Sequence, residues 1–144
     1  MIYYPAMKSP TIDIKKELKQ KGLRVTTPRE KILSVFSAEC QPMNAESIHA
    51  QLKSIDLVTI YRTLTSFEKC GILRKVDLHK DSTYYELNHH HHHIVCTSCG
   101  VIEAFESCDI KKLTQKVVLQ SSRFKTIQDH SLEFFGVCKI CLKG

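Results

Sequence analysis

The feature that most limits how this chain can fold is a pair of Cys-x-x-Cys knuckles set far apart. Cys96 and Cys99 form one, Cys138 and Cys141 the other, and 38 residues lie between them. Two intervening residues let both sulfurs of a knuckle reach one ion. Two knuckles then complete a tetrahedral four-thiolate site, for which zinc is the usual occupant. Four protein ligands leave no open position, so the expected role is structural. An iron–sulfur cluster and a redox-active dithiol are the competing uses, and the paired arrangement disfavours the dithiol.

The first knuckle is preceded directly by His89-His90-His91-His92-His93. Purification tags sit at termini, whereas this run is internal and fused to a cysteine pair. On a strand successive side chains face opposite ways, so His91 and His93 would point to one side and His90 and His92 to the other. One run can therefore serve two sites. His89 is expected to be only solvated. His130, after Asp129 and before an apolar alternating segment, is a further candidate ligand. Nitrogen and oxygen donors together suit zinc, iron(II), nickel or manganese and leave exchangeable positions.

Seven cysteines without a secretory signal argue for metal or redox chemistry rather than disulfides, and for a cytoplasmic protein. Cys40, Cys70 and Cys108 stand alone and read as small buried hydrophobes. No apolar run approaches the length of a transmembrane helix. The 144 residues suit one domain or two small ones. The formal charge of +6 is concentrated early: Ile12 to Lys31 holds seven basic and three acidic residues. Such a bias suits a polyanion, although basic faces are often merely solvated.

Periodicity predicts an α+β chain. Ile12, Ile14 and Leu18 mark a first helix with Thr11 available as its cap, ended by Gly22. Thr27-Pro28-Arg29-Glu30 reads as a capping box opening a second helix with Ile32, Leu33, Val35 and Phe36 inside. Asn44 caps a third helix, and a short connection leads to a fourth over 57–70 with Gly71 at its end. Strand-like runs at 72–78 and 83–87, joined by a turn at 79–82, complete the order of a winged helix. After Asn88 the pattern changes to strands at 91–95 and 101–105, an amphipathic helix at 109–119 and a last strand from Lys125 to Val137. The expected domains are 1–87, a winged-helix DNA-binding domain, and 88–144, a small metal-binding dimerisation domain. The second is thin enough to need a metal staple and a partner subunit.

The order of motifs along nearly the whole chain carries a resemblance. Gly22-Leu23-Arg24-Val25-Thr26-Thr27-Pro28-Arg29, Val58-Thr59-Ile60-Tyr61-Arg62-Thr63-Leu64, Tyr85-Glu86-Leu87, the histidine run with Cys96 and Cys99, Asp129-His130-Ser131-Leu132 and the final cysteine pair follow one another. Together they resemble the ferric-uptake-regulator (Fur) family of bacterial metal-responsive repressors. The resemblance implies a homodimer on double-stranded DNA. It also implies a sensory metal near the hinge, held by Glu86, His91 and His93, and a second site using His90, His92 and His130. The chain departs from the family pattern at Gln41-Pro42, Ala104, Lys111 and His92, where members often carry metal ligands. All-histidine runs resemble zinc-responsive members, which however tend to use a cysteine where Glu86 stands. The regulatory metal is thus expected to be zinc or iron(II), or else manganese or nickel, and a peroxide-responsive variant stays open.

Within the fourth helix, Thr59, Tyr61, Arg62 and Thr63 are the expected base-reading residues. Lys15, Lys21, Arg24 and Arg29 are the expected phosphate contacts. The function expected is a metal-dependent transcriptional regulator, a repressor of metal-uptake or stress genes whose metal sets the dimer geometry for a palindromic operator. A zinc storage or delivery protein is the alternative. A zinc enzyme is more distant, because no His-Glu-x-x-His or deaminase-type His-x-Glu occurs.

Overall fold

The computed structural model describes residues 12–39, 41–89, 91–105, 109–128 and 130–144. They form two compact units that part after His89.

The first unit is a helical bundle closed by a hairpin: α1 (Ile14–Gln20), α2 (Thr27–Glu39), α3 (Ala45–Gln51), α4 (Leu57–Lys69), β1 (Leu73–Val76) and β2 (Tyr84–Leu87). Short side chains define the helix starts by satisfying orphan N–H groups. Asp13 caps α1 by accepting from the Lys16 N–H at 3.1 Å; the expected cap, Thr11, lies outside the described residues. Asn44 and Ser47 cap α3 reciprocally, at 2.8 and 3.2 Å. Asp56 caps α4 through the Thr59 N–H at 2.8 Å. Thr27 differs from its expected role, being the first residue of α2 rather than its cap. Gly71 ends α4 with φ of +76°, a left-handed conformation that costs other residues a Cβ clash.

The bundle core is Leu18, Ile32, Leu33, Phe36, Ile48, Ile60, Leu64 and Phe67, all shut off from solvent. The hairpin is antiparallel with Leu73 opposite Leu87 and Arg74 opposite Glu86. Met43 adds a one-residue bridge to it, exchanging two backbone hydrogen bonds with Tyr85 at 2.8 and 2.9 Å. Nothing in the pattern of Gln41-Pro42-Met43 announced that bridge. It hooks the start of α3 onto the wing.

The second unit contains β3 (His92–Cys96), β4 (Ile102–Phe105), α5 (Ile110–Gln120), β5 (Glu133–Gly136) and α6 (Lys139–Lys143). β3 is central, with β4 antiparallel on one side and β5 parallel on the other. A parallel neighbour requires a crossover, and the segment carrying α5 supplies it. The long last strand expected over 125–137 is corrected to the four residues of β5, because β3 offers only a five-residue partner. The short α6 was not expected. None of the residues of α5 is buried, although Leu113 and Val117 lie on its apolar stripe. Among the described residues, no helix is long and apolar enough to cross a membrane.

Phe67 is fully enclosed between the helices, so Phe67→Ala should lower unfolding free energy by about 3–5 kcal/mol through lost burial and a residual cavity. Urea denaturation followed by circular dichroism measures it; a loss below about 1 kcal/mol would mean that the core is not packed as described.

Candidate metal centres and nucleic-acid interface

Cys96 is the last residue of β3, and Gly100, at φ of +73°, turns the chain back after Cys99. The parallel register sets Cys96 beside Gly136, two residues before Cys138. The Thr97 N–H donates to the Gly136 carbonyl at 2.7 Å and locks the two knuckles side by side. As a result the sulfurs of Cys96, Cys99, Cys138 and Cys141 lie within 4.8 Å of one another. Cys99 and Cys138 are 3.8 Å apart at Sγ. A tetrahedron with zinc–sulfur bonds of about 2.3 Å has sulfur–sulfur edges of about 3.8 Å, so the donor set fits one zinc ion.

Backbone amides prepare the sulfurs. The Cys138 N–H donates to Cys96 Sγ at 3.3 Å, and the Cys141 N–H to Cys138 Sγ at 3.5 Å. Cys138's amide, foremost among several, pulls the Cys96 thiol down to about 6. Cys138 is likewise lowered, first by the Cys141 amide. Cys141, crowded chiefly by the Cys138 sulfur, is instead pushed up to about 12. Four thiolates this close repel one another, and a divalent cation is the agent that allows all four to ionise.

The histidine run divides by strand parity. His91 and His93 are buried, with rings edge to face at a centroid distance of 4.8 Å. His92, also buried, turns the other way, 5.3 Å from the His130 ring and 5.7 Å from Phe105. Its Nδ1 lies 3.2 Å from the Leu132 carbonyl. A proton on that nitrogen would leave Nε2 as the ligating atom, the usual way a backbone carbonyl orients a metal-binding imidazole. His90 and Asp129 lie outside the described residues. Ala104 is buried directly opposite His93, while Glu103 faces outward, so β4 offers His93 no carboxylate. Lys111 is exposed on α5.

Glu86 is buried on β2 and ion-paired with Arg74 across the hairpin, its Oε1 receiving Nε at 2.7 Å and Nη2 at 2.6 Å. Arg74 was not singled out from the sequence. Its signal is the hairpin register, which sets it opposite Glu86.

On α4 the expected readers separate. Tyr61 is 45% exposed and Arg62 is exposed beside it. The Thr59 hydroxyl donates to Asp56 Oδ2 at 2.7 Å and serves the helix cap. Thr63, only 7% exposed, lies on the core side with Ile60, Leu64 and Phe67 and is withdrawn from the reading face. The helical period explains this, since 60, 63, 64 and 67 share one side. Val58, at 58% exposure, lies on the outer side of α4 instead, although an apolar residue reads by default as core. Lys21 and Arg24 are exposed. Lys15 lies 3.8 Å from Glu30, a solvated pair. Arg29 is half-buried and braces the preceding loop by donating Nη1 to the Arg24 carbonyl at 2.9 Å.

A Cys138→Ser variant should lose its zinc and the ordered structure of 91–144, because structural zinc binding of about 10–16 kcal/mol exceeds what so small a unit can supply alone. Zinc content by mass spectrometry and amide exchange across β3 to β5 check this. Retained zinc with native protection would contradict it.

The comparisons with known proteins follow the same lines. The family model described as the ferric uptake regulator family matches residues 20–135. The "Ferric uptake regulation protein" of Bordetella parapertussis is 36% identical over 135 residues, which cover 89% of this chain and 96% of that one. The ferric uptake regulator of Pseudomonas aeruginosa, solved with manganese, superposes with a TM-score of 0.75 at 30% identity, covering 89% of this chain and 99% of that one. The Helicobacter pylori regulator, described as having three functional metal binding sites, superposes at 0.71 with 26% identity, covering 90% and 89%. With its four-cysteine site, buried histidines and winged helix, this chain belongs to the ferric uptake regulator family of metal-responsive transcriptional regulators.

Proposed function

We propose that this chain represses metal-uptake genes from a palindromic operator, and that a divalent metal held by Glu86, His91 and His93 governs its affinity for that DNA. The observation that carries the reading is the convergence of the buried His91 and His93 rings, opposite in direction to His92. Glu86 and His91 are five residues apart, a stretch that spans at most about 18 Å when extended. A metal taking ligands on both sides of the division at His89 would limit how the reading head moves against the half that dimerises. The metal supplies a Lewis-acid centre that gathers these donors. The chain supplies the rest: Arg74 keeps the Glu86 carboxylate oriented on the wing, and strand parity keeps the two imidazoles together. His90, His92 and His130 are assigned to a second site.

Mixed imidazole and carboxylate donors, together with relatives named for ferric uptake regulation, make iron(II) the first metal to test. Manganese, zinc and nickel bind the same donors. The uncovered apolar stripe of α5 and the exposed Phe134 support a homodimer, as in the family. A twofold dimer presents two reading helices to half-sites about 34 Å apart on one face of DNA, which puts its work in the cytoplasm. Val58, Tyr61 and Arg62 read bases, while Lys15, Lys21, Arg24 and Arg29 serve phosphates.

Metal should raise affinity for DNA from the protein's own upstream region by about 5- to 150-fold, the usual range of allosteric coupling. Fluorescence anisotropy with iron(II), manganese and zinc measures it. Glu86→Ala and His93→Ala should abolish the metal effect while leaving the four-cysteine zinc in place. Equal affinity at every metal concentration would overturn the sensor reading and favour storage or delivery. Separately, Arg62→Ala should cost about 1–3 kcal/mol of operator binding, whereas Lys15→Ala should lower the salt slope by about one unit.

A further inference from the structure

Glu46, exposed at the second position of α3, accepts a hydrogen bond from the Tyr61 hydroxyl of α4 at 2.6 Å. That distance is in the range of strong charge-assisted bonds to a carboxylate. The Tyr61 hydroxyl holds the Glu46 carboxyl below its ordinary range, and the Glu46 carboxylate pushes the Tyr61 phenol up. The pair therefore stays charged carboxylate and protonated phenol across neutral pH.

A solvated hydrogen bond of this kind adds little to stability, and α3 and α4 are already joined through Ile48, Ile60 and Leu64 in the core. Its position matters more than its strength. It lies on the outer surface, at the residue that the reading helix presents most plainly as a flat aromatic ring. A carboxylate there is also costly, since any approaching duplex brings phosphates of the same sign. Because the single phenolic proton is committed to Glu46, Tyr61 has none left to donate to a phosphate. What it offers DNA is a ring held in one orientation, suited to the C5-methyl of thymine in the major groove.

We propose that Glu46 is a positioning residue that determines specificity: it clamps the Tyr61 ring for apolar contact with thymine methyl groups and discourages non-specific binding by its charge. The inference rests on the reading of α4 as the DNA-reading helix.

The test uses the full-length, metal-loaded protein and three DNAs: the operator, the operator with its thymines replaced by deoxyuracil, and an unrelated duplex. For the wild type, loss of the methyl groups should weaken binding about three- to tenfold. Glu46→Ala should abolish that sensitivity and lower the operator-to-unrelated ratio about tenfold, the worth of one oriented hydrogen bond plus one removed repulsive charge. Tyr61→Phe should abolish the methyl sensitivity equally, and the double variant should show no additional loss. Glu46→Gln, whose amide oxygen still accepts, should keep much of the methyl sensitivity while binding unrelated DNA more tightly. A purely structural role would shift unfolding midpoints without changing these ratios. Glu46 variants with wild-type ratios, or losses that add in the double variant, overturn the proposal. A wild type without operator preference overturns the DNA-reading assignment and the proposal with it, and is distinguishable from the first case.

Discussion

Sulfur atoms from two distant parts of the chain, crowded within 4.8 Å of one another, repel as thiolates unless a cation lies among them, and the second half of the molecule depends on resolving that repulsion. The sheet that brings them together is small. β5 has four residues, no residue of α5 is fully buried, and the sheet's buried side chains include His92 and His93 as well as Val95, Ile102 and Ala104. So little apolar burial does not offset the conformational entropy of some fifty residues. The zinc converts a weak sheet into a fixed frame. The parallel register of β3 and β5 is what makes the two knuckles meet.

That frame gives the histidines their meaning. Cys96 ends the strand that His92 and His93 begin, so fixing one end fixes the direction in which each imidazole points. Parity then sends His93 toward His91 and His92 toward His130. The described histidines thereby fall into two sets, His91 with His93 and His92 with His130, and the proposed regulatory metal would use these apart from the closed cysteine site. Glu86 stands on the wing already paired with Arg74, which holds its carboxylate in one orientation. The outer face of α4 has a comparable logic, with the Asp56 cap and the Glu46 contact both fixing its side chains from outside the core.

Much of this was legible because it repeats or has a fixed spacing. The apolar periods located α2 and α4, Asn44 and Gly71 marked ends with a physical reason, and the cysteine spacing named its own geometry. What was hidden depends on pairing at a distance. The length of β5 is set by its partner rather than by its own alternating residues. Thr63 looked like a reader by neighbourhood, but its angular position on α4 puts it with the core. Arg74 and Glu46 gain their roles from residues 12 and 15 positions away, and no local pattern announces either contact. Met43 is the same case, joined to Tyr85 across the fold.

The central claim is that one metal holds the fold while a different one governs DNA binding. Mass spectrometry of the purified protein under native conditions, before and after mild chelation, tests it most directly. The account predicts one zinc per chain that survives chelation, and additional metal that leaves together with operator affinity and restores it on return. Loss of all metal in a single step, or operator affinity untouched by removing the labile fraction, would contradict it.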